Sequence, residues 1–142
     1  MTGPLVIDTN VVVAGLISGT GDSPVRRLLD GMLAGAFRFV LSPDLLAEYR
    51  RVLLRPAVLE RHRLSASEVD VLLAEIVANA LVRDPSGETA ARAPERGDDR
   101  LWQLLRVVPG LTLVTGDLRL VEQPPGHASV ILPRAAVALL GD

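Results

Sequence analysis

A chain of 142 residues, 49% apolar and 23% charged, is long enough to bury one core and too apolar to remain disordered. It contains no cysteine, which excludes disulfides, thiolate metal sites and thiol nucleophiles. All 15 basic residues are arginine, against 17 acids, so the net charge of −2 carries no overall nucleic-acid signature, although it is compatible with one basic face.

In chain order, Pro4 to Ile7 reads as a buried first strand. Asp8-Thr9-Asn10 can cap a helix, and the apolar run Val11 to Ile17 is expected to be a short buried helix, with strand as the alternative for so many valines. Ser23-Pro24 supplies an N-cap with proline at the first helical position, predicting a helix to about Leu33 that ends near Gly35. Phe37 to Leu41 is the second strand. Ser42-Pro43 repeats the cap and opens a helix to about Leu54, apolar along Leu45, Leu46, Tyr49, Val52 and Leu53, with Arg50, Arg51 and Arg55 opposite.

Ala57 to Arg63 suggests a helical turn, within which His62 reads as a solvated surface residue. Ser65 to Glu68 forms a capping box for a helix to about Ala78. Leu81 to Arg83 is a third strand. Asp84 to Gly97 has no period and is rich in Pro, Gly, Glu and Arg, a loop long enough to suggest function. Asp98-Asp99 opens a helix carrying Leu101, Leu104, Leu105 and Val108, in which Trp102 is expected to serve the core or an oligomer contact. Leu111 to Val114 and Val130 to Leu132 are the fourth and fifth strands, and Pro133 to Leu140 is a terminal helix. Alternating strands and helices predict one α/β domain over residues 1–142, with a parallel sheet covered on both faces. No run reaches the roughly 20 apolar residues that span a bilayer, and the N-terminus has no basic region of the signal-peptide type, so a cytoplasmic location is the default.

Ligands of open parallel sheets bind beyond the carboxyl ends of the strands. Asp8 directly follows the first strand and Asp117 follows the fourth, so the two share a crevice if those strands are neighbours. Glu48 lies at the border of the apolar face of its helix, and Asp98 begins the helix leading to the fourth strand. Four carboxylates in one pocket repel one another, and a hard divalent cation relieves that conflict. Mg²⁺ or Mn²⁺ on oxygen ligands can activate water and stabilise a phosphoryl transition state. Each acid also has an ordinary reading: Asp8 as a helix cap, Asp98 and Asp99 as favourable charge at a helix start, Asp117 as a turn residue, and Glu48 as a surface partner for a nearby arginine.

Four segments together resemble the PIN domain (PilT N-terminal) family, in particular the bacterial toxin components of toxin–antitoxin systems. They are Val6-Ile7-Asp8-Thr9-Asn10-Val11-Val12-Val13-Ala14-Gly15-Leu16-Ile17-Ser18, Ser42-Pro43-Asp44-Leu45-Leu46-Ala47-Glu48-Tyr49, Gly97-Asp98-Asp99-Arg100-Leu101 and Leu113-Val114-Thr115-Gly116-Asp117. The resemblance implies a three-layer α/β/α sandwich on a parallel sheet of four or five strands and a Mg²⁺- or Mn²⁺-dependent endoribonuclease. It implies Asp8, Glu48, Asp98 and Asp117 as metal-binding acids, with Asn10 and Thr115 as polar neighbours; Asp98 rather than Asp99 stands at the family's acid position. Arg119 occupies a position where the family often has a second Asp, and Pro94-Glu95-Arg96-Gly97 stands where it often has Asp-Pro. The resemblance also implies an antitoxin partner, and exposed apolar helix faces would serve it or a homodimer or higher homo-oligomer equally well.

With so few aromatics, RNA would be held mainly through its phosphates. Arg92, Arg96, Arg100 and Arg119 are candidate contacts, each weighed against ordinary surface charge. Among alternatives, a catalytically silent protein- or RNA-binding module keeps the same fold. A phosphatase of the haloacid dehalogenase type also uses Asp after a first strand, but Asn10 replaces its second Asp and the chain has no lysine.

Overall fold

The computed structural model describes residues 3–18, 21–85, 99–126 and 128–141, with the side chains of Asp99 and Arg100 outside that set. The first strand, β1 (Leu5–Ile7), is wholly buried and leads directly into α1 (Thr9–Ile17), so the valine run is helical. Its Gly15 explains the close approach of the next helix, α2 (Pro24–Ala34). A Cβ at Gly15 would stand 2.7 Å from the Val25 carbonyl oxygen and 3.0 Å from Leu29 Cβ. Ser23 caps α2 by accepting from the Arg26 amide, and Gly35 ends it in the left-handed conformation at φ 68°.

Then follow β2 (Val40–Leu41), α3 (Pro43–Leu53), α4 (Pro56–His62), α5 (Ala66–Asn79) and β3 (Leu81–Val82). Ser42 caps α3, and Ser65 with Glu68 closes both halves of a capping box on α5. The chain ends with α6 (Asp99–Val107), β4 (Thr112–Val114), α7 (Leu118–Glu122), β5 (Ser129–Ile131) and α8 (Pro133–Leu139). The five-residue α7 has no counterpart in the sequence reading. It is capped by Asp117, which accepts from the Arg119 amide.

Every strand pair is parallel, giving one ladder in the order β1-β4-β5 and another of β2 with β3. The two ladders meet at an isolated parallel bridge between Leu5 and Phe39, where the Leu5 amide donates to the Arg38 carbonyl at 3.1 Å. The spatial order is therefore β3-β2-β1-β4-β5. Successive strand residues face opposite sides of a sheet, and all residues of β1 and β2 are buried, so helices cover both faces at the centre. This is the α/β/α arrangement expected from the sequence, with five strands split into two ladders. β3 is an exposed edge strand, Leu81 and Val82 being 43% and 54% exposed. Trp102 is buried in the core, as its helix position predicts.

The chain leaves β1 towards β2 on one side and returns to β4 on the other. The order of connections thus reverses between β1 and β4, the place where open parallel sheets form a ligand crevice.

Candidate active site

Ile7 pairs with Val114 at the carboxyl ends of β1 and β4, and the Asp8 amide extends the pairing by donating to the Val114 carbonyl at 2.9 Å. Asp8 holds the N-cap position of α1 through its backbone, whose carbonyl accepts from the Val11 amide at 3.0 Å. Its side chain makes no capping bond. Instead the Thr115 hydroxyl donates to Asp8 Oδ2 at 2.8 Å, and the Asn10 amide nitrogen donates to the same oxygen at 3.3 Å. The purely capping account of Asp8 therefore fails, because the carboxylate is spent on a tertiary contact.

Thr115 is fully buried and ties this acid to the next. Its Oγ1 accepts from the Asp117 amide at 3.1 Å and from Asn10 Nδ2 at 3.3 Å. The Asn10 side-chain carbonyl accepts from the Gly116 amide at 3.0 Å, which fixes the orientation of the amide group. Asp8, Asn10, Thr115 and Asp117 thus form one connected network across the β1–β4 junction.

Asp117 is half-buried and both lines the cleft and caps α7, so its turn-residue reading holds and its carboxylate also belongs to the cleft lining. Arg119 Nε stands 3.5 Å from Asp117 Oδ1. The Arg119 guanidinium, aided by the backbone amides of Arg119 and Leu120, holds the Asp117 carboxyl below the usual carboxylate range against a smaller opposing desolvation. Arg119 itself is 91% exposed, so among the candidate RNA contacts it is a partner of the acid first.

Glu48 reaches the same cleft from α3. Its neighbour Tyr49 is fully buried and donates its hydroxyl to the Ile7 carbonyl at 2.5 Å, one residue before Asp8. Burial, and secondarily the nearby Asp8 charge, push the Tyr49 phenol well above its usual range, so it remains a donor. Glu48 also pairs with Arg51 one turn along, so the surface-pair reading holds in part. Asp98, Arg92 and Arg96 lie outside the described residues, as do the side chains of Asp99 and Arg100.

The cleft has a volume of about 630 Å³ and is lined by Asp8, Glu48 and Asp117, with Val13, Ile17 and Val52 among its apolar lining. Arg55 and Arg61 also line it. The helical-wheel reading put Arg55 on the far side of α3, but α3 stops at Leu53 and Arg55 belongs to the turn before Pro56. His62 is not a solvated surface residue. Its Nδ1 accepts from the Leu64 amide at 3.0 Å, which leaves Nε2 to donate to the Leu53 carbonyl at 2.9 Å. The signal in the sequence for the α3 anchor was a tyrosine on the apolar face of its helix, since a phenol buried there requires an acceptor.

Oxygen donors without cysteine suit a hard divalent ion in kind. Among the described residues, no three acidic or histidine side chains form a group able to hold a metal ion. No helix of the described residues is long and apolar enough to cross a membrane. A family model described as PIN domain matches residues 4–119. No curated protein matches the chain.

Proposed function

Because the chain belongs to the PIN domain family, whose members are generally metal-dependent nucleases, we propose that it is a ribonuclease that hydrolyses phosphodiester bonds of single-stranded RNA. The observation that carries this reading is the diversion of the Asp8 carboxylate from its own helix to Thr115, which also holds the Asp117 backbone. A structural cap has no use for that arrangement, whereas a hydrolytic site needs its acids held before substrate arrives. Asp8 and Asp117 would hold a Mg²⁺ or Mn²⁺ ion, with Glu48 and Asp98 as the remaining acids. Such an ion, when bound, supplies charge for the phosphoryl transition state and acidifies water. Thr115 and Asn10 orient Asp8, and Tyr49 brings Glu48 to the end of β1. In the reaction a water oxygen bonds to phosphorus, its proton passes to an acceptor, and the bond from phosphorus to the leaving sugar oxygen breaks.

We further propose that the chain acts as a toxin restrained by an antitoxin protein, a role that rests on the resemblance to that branch of the family. Expression in a bacterial host should arrest growth, and Asp8→Asn should abolish the arrest; equal arrest by both proteins would refute a nuclease toxin.

A second reading, a silent RNA- or protein-binding module, draws on two ion pairs, Arg119 with Asp117 and Arg51 with Glu48, which already engage two of the acids. Titration with Mn²⁺ separates the two. The nuclease reading expects thermal stabilisation, worth about 2.7 kcal/mol at a hundredfold excess over Kd, together with cleavage of single-stranded RNA. Both should disappear in Asp8→Asn. Unchanged melting and intact RNA would favour the silent module.

A further inference from the structure

The sequence Leu54-Arg55-Pro56 forces a break. Proline disfavours a helical conformation for the residue before it, and Arg55 is extended at φ −62° and ψ 138°. The chain then turns into α4, which has no buried residue of its own. Two features help to fix this short helix in place. Pro56 starts it, and His62 joins its end to the Leu53 carbonyl and the Leu64 amide. Val58 and Leu59 of α4 are only half-buried, with Val58 packed against the core, and α4 with the turn before it places Arg61 and Arg55 in the lining of the cleft that contains Asp8, Glu48 and Asp117.

The neighbouring arginines are differently engaged: Arg50 pairs with Asp70, Arg51 with Glu48 and Arg119 with Asp117. Among the described residues, neither the Arg55 nor the Arg61 guanidinium makes an ion pair or a side-chain hydrogen bond. Both are exposed, and the cleft surface they share includes the apolar side chains of Val13, Ile17 and Val52. An RNA strand approaching three carboxylates is repelled, and a net charge of −2 offers no long-range attraction. Local cations must compensate.

We propose that Arg55 and Arg61 form a phosphate-binding rail for the nucleotides next to the scissile bond, with sugar and base lying over the Val13–Ile17–Val52 surface. This rests on the ribonuclease reading. Contacts to phosphate position the strand without reading its sequence, so the rail holds single-stranded RNA of any sequence and sets the side from which the strand enters.

The test is fluorescence anisotropy of a labelled single-stranded RNA oligonucleotide with the Asp8→Asn protein in chelator, across a salt series. Adding Arg55→Ala or Arg61→Ala should weaken binding about fivefold each, and should lower the slope of log K against log salt by about 0.7 per arginine. Arg55→Lys and Arg61→Lys should retain most of the slope, a result that separates charge from a folding role. Arg38→Ala, which removes the same charge just before β2, at the amino end of the sheet, should change neither quantity. In the protein with Asp8 intact, KM should rise in the Arg55→Ala and Arg61→Ala variants while kcat stays within about twofold, as expected for uniform binding. Binding by the Asp8→Asn protein that is unaltered by either alanine would overturn the rail alone. Failure of that protein to bind RNA at all would overturn the rail and the ribonuclease reading together.

Discussion

The Tyr49 hydroxyl donates to the Ile7 carbonyl at 2.5 Å, linking the middle of α3 to the last residue of β1. The residue after Ile7 is Asp8 and the residue before Tyr49 is Glu48, so one buried bond joins the backbone segments that carry two candidate acids. Tyr49→Phe keeps the ring and leaves the Ile7 carbonyl without that donor. It should cost about 1–3 kcal/mol of stability and lower the cleavage rate although both acids remain. Urea unfolding and RNA cleavage check this; full activity in the variant would show that the bond does not position Glu48.

Thr115→Val is close in shape but removes the donor to Asp8 and the acceptor for the Asp117 amide. Both sites are part-buried, so the expected loss is about 1–3 kcal/mol of stability. Mn²⁺ affinity should fall as well, because Asp8 loses its orientation. Calorimetric titration with Mn²⁺ measures the second effect, and an unchanged affinity would remove Thr115 from the site's support.

Arg119→Ala removes the cation beside Asp117. The cleft becomes more negative, and Mn²⁺ should bind about threefold more tightly, a small effect because exposed ion pairs are weak. Weaker Mn²⁺ binding in this variant would instead identify Arg119 as a necessary part of the site.

Arg50 and Asp70 join α3 to α5 by a hydrogen-bonded ion pair that lowers the Asp70 pKa and raises that of Arg50. A lowered carboxylate pKa stabilises the fold above the ordinary value of about 4 and ceases to do so as pH falls through the folded-state value. The raised Arg50 pKa matters only at strongly alkaline pH. Asp70→Asn should therefore melt slightly below the parent at neutral pH, and the two melting temperatures should converge in acid. A difference that persists to the lowest pH would assign it to something other than ionisation.

His62→Ala breaks the two backbone contacts that secure α4 while leaving both cleft arginines in the chain. It should weaken RNA binding in the Asp8→Asn background without lowering the salt slope as far as Arg55→Ala does. The anisotropy series described for the arginines measures this directly.

Much of the framework could be read from local chemistry. Ser23, Ser42 and Ser65 each cap the helix they were expected to start, and Gly35 ends α2 because it can adopt a left-handed conformation. Asp8 and Asp117 share a cleft because both follow closely on paired parallel strands whose carboxyl ends align. What sequence could not give was tertiary. Five residues show too little period to announce α7, and an apolar Leu81-Val82 pair looks the same at an edge as in a centre. A helical wheel sets Arg55 opposite the apolar face, whereas α3 ends at Leu53 and the chain turns before Arg55. Tyr49 was read as an apolar residue, and the destination of its hydroxyl could only be seen in three dimensions.

Leu5 and Phe39 form an isolated bridge between the two ladders, and the three cleft acids are divided across it. Asp8 and Asp117 follow strands of one ladder and are fastened to each other through Thr115, while Glu48 follows a strand of the other. A widening of the molecule along this seam would carry Glu48 away from an aspartate pair whose own geometry stays fixed. The placement of Glu48 relative to that pair therefore depends on what spans the seam, the Tyr49 phenol on the Ile7 carbonyl included.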